Sequence, residues 1–292
     1  MRRKYREKIY DCGGFLEVDI YPVFRKANGK RRARFKPTSE MQARLNQRNA
    51  ERMLVRILNA NFTENDISVT LTYSNEYLPD SYEQAERDAQ NFLRRVKRLR
   101  KKLGLPEIKY VLIPGDGRYH FHIPMSGGID AVTLRKLWPY GYLNVIHFEF
   151  NENGIEGHAR YVATQYESEL YGGEDLLSSL DIDEETGEVK GLNNQRRRGK
   201  RRYTCSRNIV RPEAEEREGR ISAARVEELA TVDSSSRKEF EKLYPGYSFS
   251  ECKPYYNDEN GGYYLRVRMY RSDIKFKKPS AGQMSRRRAG VA

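Results

Sequence analysis

Two histidines stand one residue apart in GDGRYHFHIPMSGG, residues 115–128, in a chain that has only 4 histidines in all. Alternate residues of a strand project from the same face, so His120 and His122 would set two imidazoles side by side. Two neutral imidazoles are a partial site for a divalent cation, which needs one further ligand and open positions for substrate oxygens. The plain alternative is a pair of rings hydrogen-bonded within the sheet, and the HxH spacing alone does not separate the two readings. A second constellation lies in IEGHARYVATQYESELY, residues 155–171, which reads as a helix. There His158, Tyr161 and Gln165 share one face by i, i+3 and i+4 spacing, while Tyr166 is turned well away from Tyr161. A tyrosine hydroxyl, with an ordinary pKa of about 10, is a poor nucleophile at neutral pH. Beside a divalent cation that polarises a phosphodiester it can attack phosphorus and form a phosphotyrosine. With 21 tyrosines in the chain, a half-buried aromatic on an amphipathic helix is the competing reading for Tyr161.

The elements around these residues follow from periodicity. DISVTLTYS alternates, with Ile67, Val69, Leu71 and Tyr73 on one side and Ser68, Thr70 and Thr72 on the other. SYEQAERDAQNFLRRVKRLRKKLGLP predicts a helix that buries Phe92, Leu93, Val96 and Leu99 and ends at Gly104 and Pro106. IKYVLI and RYHFHIPM are two strands around a PGDG turn, DAVTLRKLW is a short helix capped by Asp130, and GYLNVIHFEF is a further strand. The order strand, helix, hairpin, helix, strand, helix over 65–171 predicts an α+β fold: a central antiparallel sheet with flanking helices. Trp138 ends a helix on an apolar face and is most simply core, and SGG after the histidine strand is a turn.

Upstream, residues 1–63 read as a basic N-terminal extension, with a strand in FLEVDIYPVF and a helix after Pro37 capped by Thr38 or Ser39. Residues 64–171 form the core. Residues 172–235, with acidic DIDEETGEVK followed by NNQRRRGKRRY, read as a flexible acidic and basic region. Residues 236–273 predict a helix and a tyrosine-rich hairpin, turning at NDENGG and packing on or near the core. Residues 274–292 read as a disordered basic tail. The tail tyrosines Tyr255, Tyr256, Tyr263 and Tyr264 could stack on unpaired bases, although β-structure favours tyrosine for packing alone.

Composition narrows the partners. The 292 residues suffice for one large or two modest domains; a third are charged, the formal net charge is +13, and mean hydropathy is -0.87. Charge of that sign favours a polyanion, because Lys and Arg release condensed counterions when they meet phosphates. No long apolar run suggests a membrane, and MRRKYREKIY lacks the apolar core of a signal peptide. Cys12, Cys205 and Cys252 are odd in number and far apart, which reads as free thiols of a reducing compartment and gives a cytoplasmic expectation. Arg196, Arg197, Arg198, Lys200, Arg201 and Arg202 form a basic run suited to phosphate contacts or to a solvated linker. No GxxxxGK[ST] phosphate loop is present, so a helicase would be a separate host protein.

VTLTY, YHFHIPMSGG and ARYVATQY together resemble the three ordered motifs of the HUH endonucleases, and among these the rolling-circle replication initiators of phages, plasmids and prophage elements. The resemblance extends to the upstream segment from RRARF to NEYLP and to YTCSRNIVRPE downstream. It implies a ferredoxin-like or RRM-like core with the histidines on central strands. It implies that His120 and His122 bind Mg2+ or Mn2+, that Tyr161 is the nucleophile, and that Thr70 to Thr72 line the sheet beside them. The implied activity is nicking and rejoining of single-stranded or hairpin DNA at an origin, the freed 3′-OH being extended by a host polymerase. Relaxases and single-strand transposases share the motifs. Two positions depart from the pattern: Thr164 and Gln165 stand where relatives commonly carry a lysine, and VLIPGDG replaces a segment that often holds a glutamate. The third ligand is therefore open among Asp116, Glu149 and His158. A binding protein that has lost cleavage on the same scaffold is the alternative, favoured by the missing lysine and opposed by both histidines and Tyr161.

Overall fold

The computed structural model describes residues 4–23, 40–115, 118–155, 203–258 and 261–276. The chain divides into two compact units, one drawn from residues 31–149 and 155–212, the other from residues 1–30, 150–154 and 213–292.

The first unit holds the histidines. Its elements are α1 (Glu40–Asn61), β3 (Ile67–Tyr73), α2 (Tyr82–Lys102), β4 (Val111–Pro114), β5 (His120–Met125), α3 (Ala131–Lys136), β6 (Gly141–His147) and β7 (Thr204–Cys205), counting two earlier strands, β1 (Lys4–Asp11) and β2 (Phe15–Val23), that belong to the other unit. The strands form one antiparallel sheet in the order β6-β3-β5-β4-β7. The α+β expectation of a central antiparallel sheet with flanking helices describes this unit.

Alternation sorts the sheet into two unlike faces. Val69, Leu71 and Tyr73 of β3 and Phe121, Ile123 and Met125 of β5 are fully or almost fully buried, and with Leu143 of β6 they share a core with Ala85, Ala89, Phe92, Leu93 and Val96 of α2. Each large apolar side chain buried there contributes on the order of 1.5–3 kcal/mol. α2 starts where the Ser81 hydroxyl accepts the Gln84 N–H at 3.3 Å and stops at Gly104, whose φ of +67° ends the helical run. Asp130 caps α3 by accepting the Thr133 N–H at 2.9 Å, and this hydrogen bonding holds its carboxyl below the ordinary range. Trp138 closes the core edge-on against Tyr73 and Phe92, and its indole N–H donates to the Thr72 carbonyl at 3.1 Å. SGG is a structural clamp: the Gly127 N–H donates to Asp66 at 3.0 Å, and a Cβ at 127 would overlap the Asn65 carbonyl oxygen.

The second unit carries the ends of the chain. β1, β2, β8 (Ala214–Glu218), β9 (Tyr247–Asn257) and β10 (Gly262–Arg271) form an antiparallel sheet in the order β8-β1-β2-β10-β9, with α4 (Ala223–Leu229) and α5 (Ser234–Leu243) contributing to its core. The strand pairing redraws three sequence-based boundaries. The first 23 residues do not extend the histidine core, because β2 pairs with β10 through Ile20↔Leu265 and Val18↔Val267. The C-terminal helix and hairpin likewise build this second sheet and not an attachment to the first. Residues 203–235 are not one flexible region: they contain β7, β8 and α4, and the Tyr110 N–H donates to Ser206 at 3.0 Å to fasten the segment beside β4. β1 escaped sequence reading because its inward residues are Tyr5, Glu7 and Ile9, and a buried glutamate breaks the apolar alternation.

Candidate functional site

The second face of the histidine sheet is polar. In an antiparallel pair, residues directly opposite each other share a face. The register pairs Thr72 with His120 and Thr70 with His122 across β3 and β5, then Thr72 with Tyr142 and Thr70 with Asn144 across β3 and β6. Two parallel rows result, Tyr142–Thr72–His120 and Asn144–Thr70–His122, and Ile113 continues the second row from β4. The period-two pattern placed His120, His122, Thr70 and Thr72 on one face, and the structure brings all four together.

Each ring is held through its Nδ1. His120 Nδ1 lies 2.8 Å from the Arg118 carbonyl, which only accepts, so Nδ1 carries the proton and donates. That tautomer leaves Nε2 as the nitrogen with a lone pair, the arrangement found in metal-ligating histidines whose other nitrogen is held by a carbonyl. His122 Nδ1 lies 3.2 Å from the Thr70 hydroxyl. The ring centroids are 4.9 Å apart and the planes nearly perpendicular, at 88°. His122 is buried at 3 % exposure, whereas His120 is partly exposed, so the pair runs from the interior toward the surface. The donor set suits a divalent cation: two imidazoles side by side, the His120 nitrogen assigned by its carbonyl partner.

Two positions were missed by sequence reasoning. Gly115 stands opposite His120, its N–H donating to the His120 carbonyl at 2.9 Å, and the imidazole lies where a Cβ at 115 would be. Any side chain there would displace the ring. Its only sequence signal was the PGDG turn, which hid the contact. Tyr142 is 74 % exposed on the edge strand, in the same row as His120. GYLNVIH alternates, but only the register with β3 reveals which of its faces joins the histidines.

The remaining expected site residues divide plainly. Glu149 is not brought to the pair: His147 already pairs with Ile67, at the end of β3 away from Thr72, and Glu149 lies two residues further on, exposed. Asp116, His158, Tyr161, Gln165 and the basic residues Arg196, Arg197, Arg198, Lys200, Arg201 and Arg202 lie outside the described residues. Among the described residues no group of three or more His, Cys, Asp or Glu side chains gathers as a metal site. No helix among them is long and apolar enough to cross a membrane.

Residues 66–168 match the family model of the replication-associated protein ORF2 type. The match starts one residue before β3, takes in both histidines and runs through Tyr161 and Gln165. It supports a replication-initiator type of protein, and with it a DNA partner. No curated protein and no solved structure matches the chain.

Proposed function

We propose that the chain initiates rolling-circle replication by nicking and rejoining single-stranded DNA through a covalent tyrosine intermediate. The observation that carries the reading is the His120–His122 pair on a polar sheet face, one ring set by a backbone carbonyl and the other beside Thr70, inside the segment that matches a replication-associated family. His120 and His122 would hold Mg2+ or Mn2+, which when bound polarises the scissile phosphate and lowers the cost of charge on its oxygens. Thr70 and the Arg118 carbonyl keep the rings oriented. Tyr142 offers an exposed aromatic face on which an unpaired base can stack beside the histidines.

The Tyr161 oxygen attacks phosphorus as its phenolic proton passes to a base. The bond from phosphorus to the 3′ oxygen breaks, and that oxygen takes up a proton. The products are a 5′-phosphotyrosine and a free 3′-OH for a host polymerase, duplex opening being left to a host helicase. Attack of a 3′-OH on the phosphotyrosine reverses the step and rejoins the strand. Relaxases and single-strand transposases would use the same residues, and the replication-associated match favours initiation.

Incubation with single-stranded origin oligonucleotides of its own replicon and Mn2+ should give a protein–DNA band that survives a denaturing gel. The band should vanish with a chelator, with Tyr161→Phe and with His120→Ala. Tight binding without any band would instead support the binding-protein reading, which Thr164 and Gln165 favour at the position of the usual lysine.

A further inference from the structure

The layer on the other side of the histidine sheet presents a different surface. From Ala89 to Lys102, α2 contains no acidic residue and seven basic ones: Arg94, Arg95, Lys97, Arg98, Arg100, Lys101 and Lys102. Arg100 is turned inward, donating to the Pro106 carbonyl at 2.9 Å. Arg87, Arg94, Arg98 and Lys101 follow one another at steps of seven, four and three residues, which stacks them along the back of the helix, and all four are exposed. At 1.5 Å per residue that stripe is about 21 Å long. Lys102 flanks it. Arg95 Nη1 donates to the Leu137 carbonyl at 2.9 Å and so ties the end of α3, with its exposed Arg135 and Lys136, beside the middle of α2.

A charge run is commonly a solvated helix face, and Lys101 and Lys102 also complement the negative end of the helix dipole. Neither explains Arg94 and Arg98, which lie one or more turns inside the helix. Basic helix faces kept for solubility are usually interleaved with carboxylates at i, i+4. Here Glu107 lies 3.4 Å from Lys97, and among the described residues no carboxylate engages Arg94, Arg98, Lys101 or Lys102. The apolar stripe of the helix is consumed by the core, which leaves no greasy face to enter a membrane.

We infer that the outer face of α2, with the end of α3, is a docking surface for the phosphate backbone of duplex DNA, separate from the histidine face. Length and chemistry select the duplex. A stripe of about 21 Å reaches phosphates on both sides of a major groove about 12 Å wide. Surfaces for single strands interleave cations with aromatic rings, and the exposed back of α2 carries none. The aromatic ring lies on the opposite face, as Tyr142. The sheet thus separates a side for unpaired bases from a side for the paired backbone, as a protein acting where duplex meets single strand requires.

The test uses the full chain and the quadruple variant R94Q/R98Q/K101Q/K102Q, glutamine being nearly as good a helix former as the residues it replaces. Circular dichroism and melting should match the parent. Fluorescence anisotropy with a labelled duplex should show at least a tenfold loss of affinity, and the slope of log K against log salt should fall by about 3 to 4. Binding and nicking of single-stranded oligonucleotide should be unchanged. An unchanged duplex slope, or equal losses on duplex and single strand, would overturn the assignment. So would an unchanged duplex affinity with a loss confined to phosphatidylserine vesicles. A chain that never nicks but loses duplex affinity in the variant contradicts the proposed chemistry and leaves this assignment standing.

Discussion

The two units each contain a five-stranded antiparallel sheet with an apolar face against helices, and they differ in what the other face carries. On the second unit's sheet the polar face is laid out in complementary charges. Arg6 meets Glu216 at 3.0 Å and also Glu218, Lys8 meets Glu216 at 3.0 Å, Arg266 meets Asp19 at 3.8 Å, and Arg268 meets Glu17 at 3.4 Å and Glu251 at 3.8 Å. The register makes these cross-strand neighbours, so each charge finds its opposite across one strand spacing. On the histidine sheet the equivalent rows hold two imidazoles, two threonines, an asparagine and a tyrosine, with no carboxylate to balance them. A face whose charges cancel internally is built to hold itself together. Imidazoles set by a carbonyl and a hydroxyl, with an exposed aromatic in the row, are built to receive something.

If that contrast is right, substitutions on the two faces should fail in opposite ways. The largest effect on stability is expected for Arg268→Ala. Its side chain is 9 % exposed and Glu17 is 4 % exposed, so the change strands a buried carboxylate and should cost about 3–5 kcal/mol in chemical denaturation. Nicking per folded molecule should not change. His122→Ala should do the reverse, removing a hundredfold or more of metal-dependent nicking while the denaturation midpoint stays near that of the parent. A severe loss of stability in His122→Ala would make the imidazoles a packed pair and erase the contrast.

Gly115→Ala sharpens it further. A Cβ at 115 occupies the His120 ring position, so Mn2+ affinity by calorimetry should fall about 10- to 100-fold, the range for disturbing a ligand's supports. Unchanged affinity would remove Gly115 from the site. Tyr73→Phe is milder. Burial, reinforced by Asp88, raises the Tyr73 phenol well above its ordinary pKa, so it stays protonated and donates to Asp88 at 3.2 Å. Its loss should cost about 1–2 kcal/mol without touching metal affinity. The smallest effect concerns Cys252, whose thiol is pushed up to about 12, by burial first and by Glu251 second. At pH 8 it stays a thiol, so maleimide should label it only on unfolding, as mass spectrometry would show.

Much of the histidine sheet could be read in the sequence because its strands alternate cleanly and its apolar residues are the ordinary core formers. Thr70, Thr72, His120 and His122 followed from period two alone. Their neighbours did not: Tyr142 and Asn144 join the rows through the β3–β6 register, which no local pattern encodes. Gly115 was hidden by reading PGDG only as a turn. The second sheet was harder to read for a different reason. β1 and β10 are separated by most of the chain, and their strands bury Glu7 and Arg268, whose charges disguise the inward face. Pairing between chain ends is a tertiary fact, and buried ion partners look polar until the partner is found.

The central claim, that Tyr161 attacks DNA next to a cation held by His120 and His122, is tested most directly by locating the bond. The covalent adduct formed with Mn2+ and an origin oligonucleotide would be trimmed with nuclease, digested with trypsin and fragmented in a mass spectrometer. The account predicts a nucleotide remnant on the peptide that begins at Tyr161, placed on Tyr161 itself and absent from the His120→Ala protein. A remnant on Tyr166, on Tyr142 or on no tyrosine would contradict it.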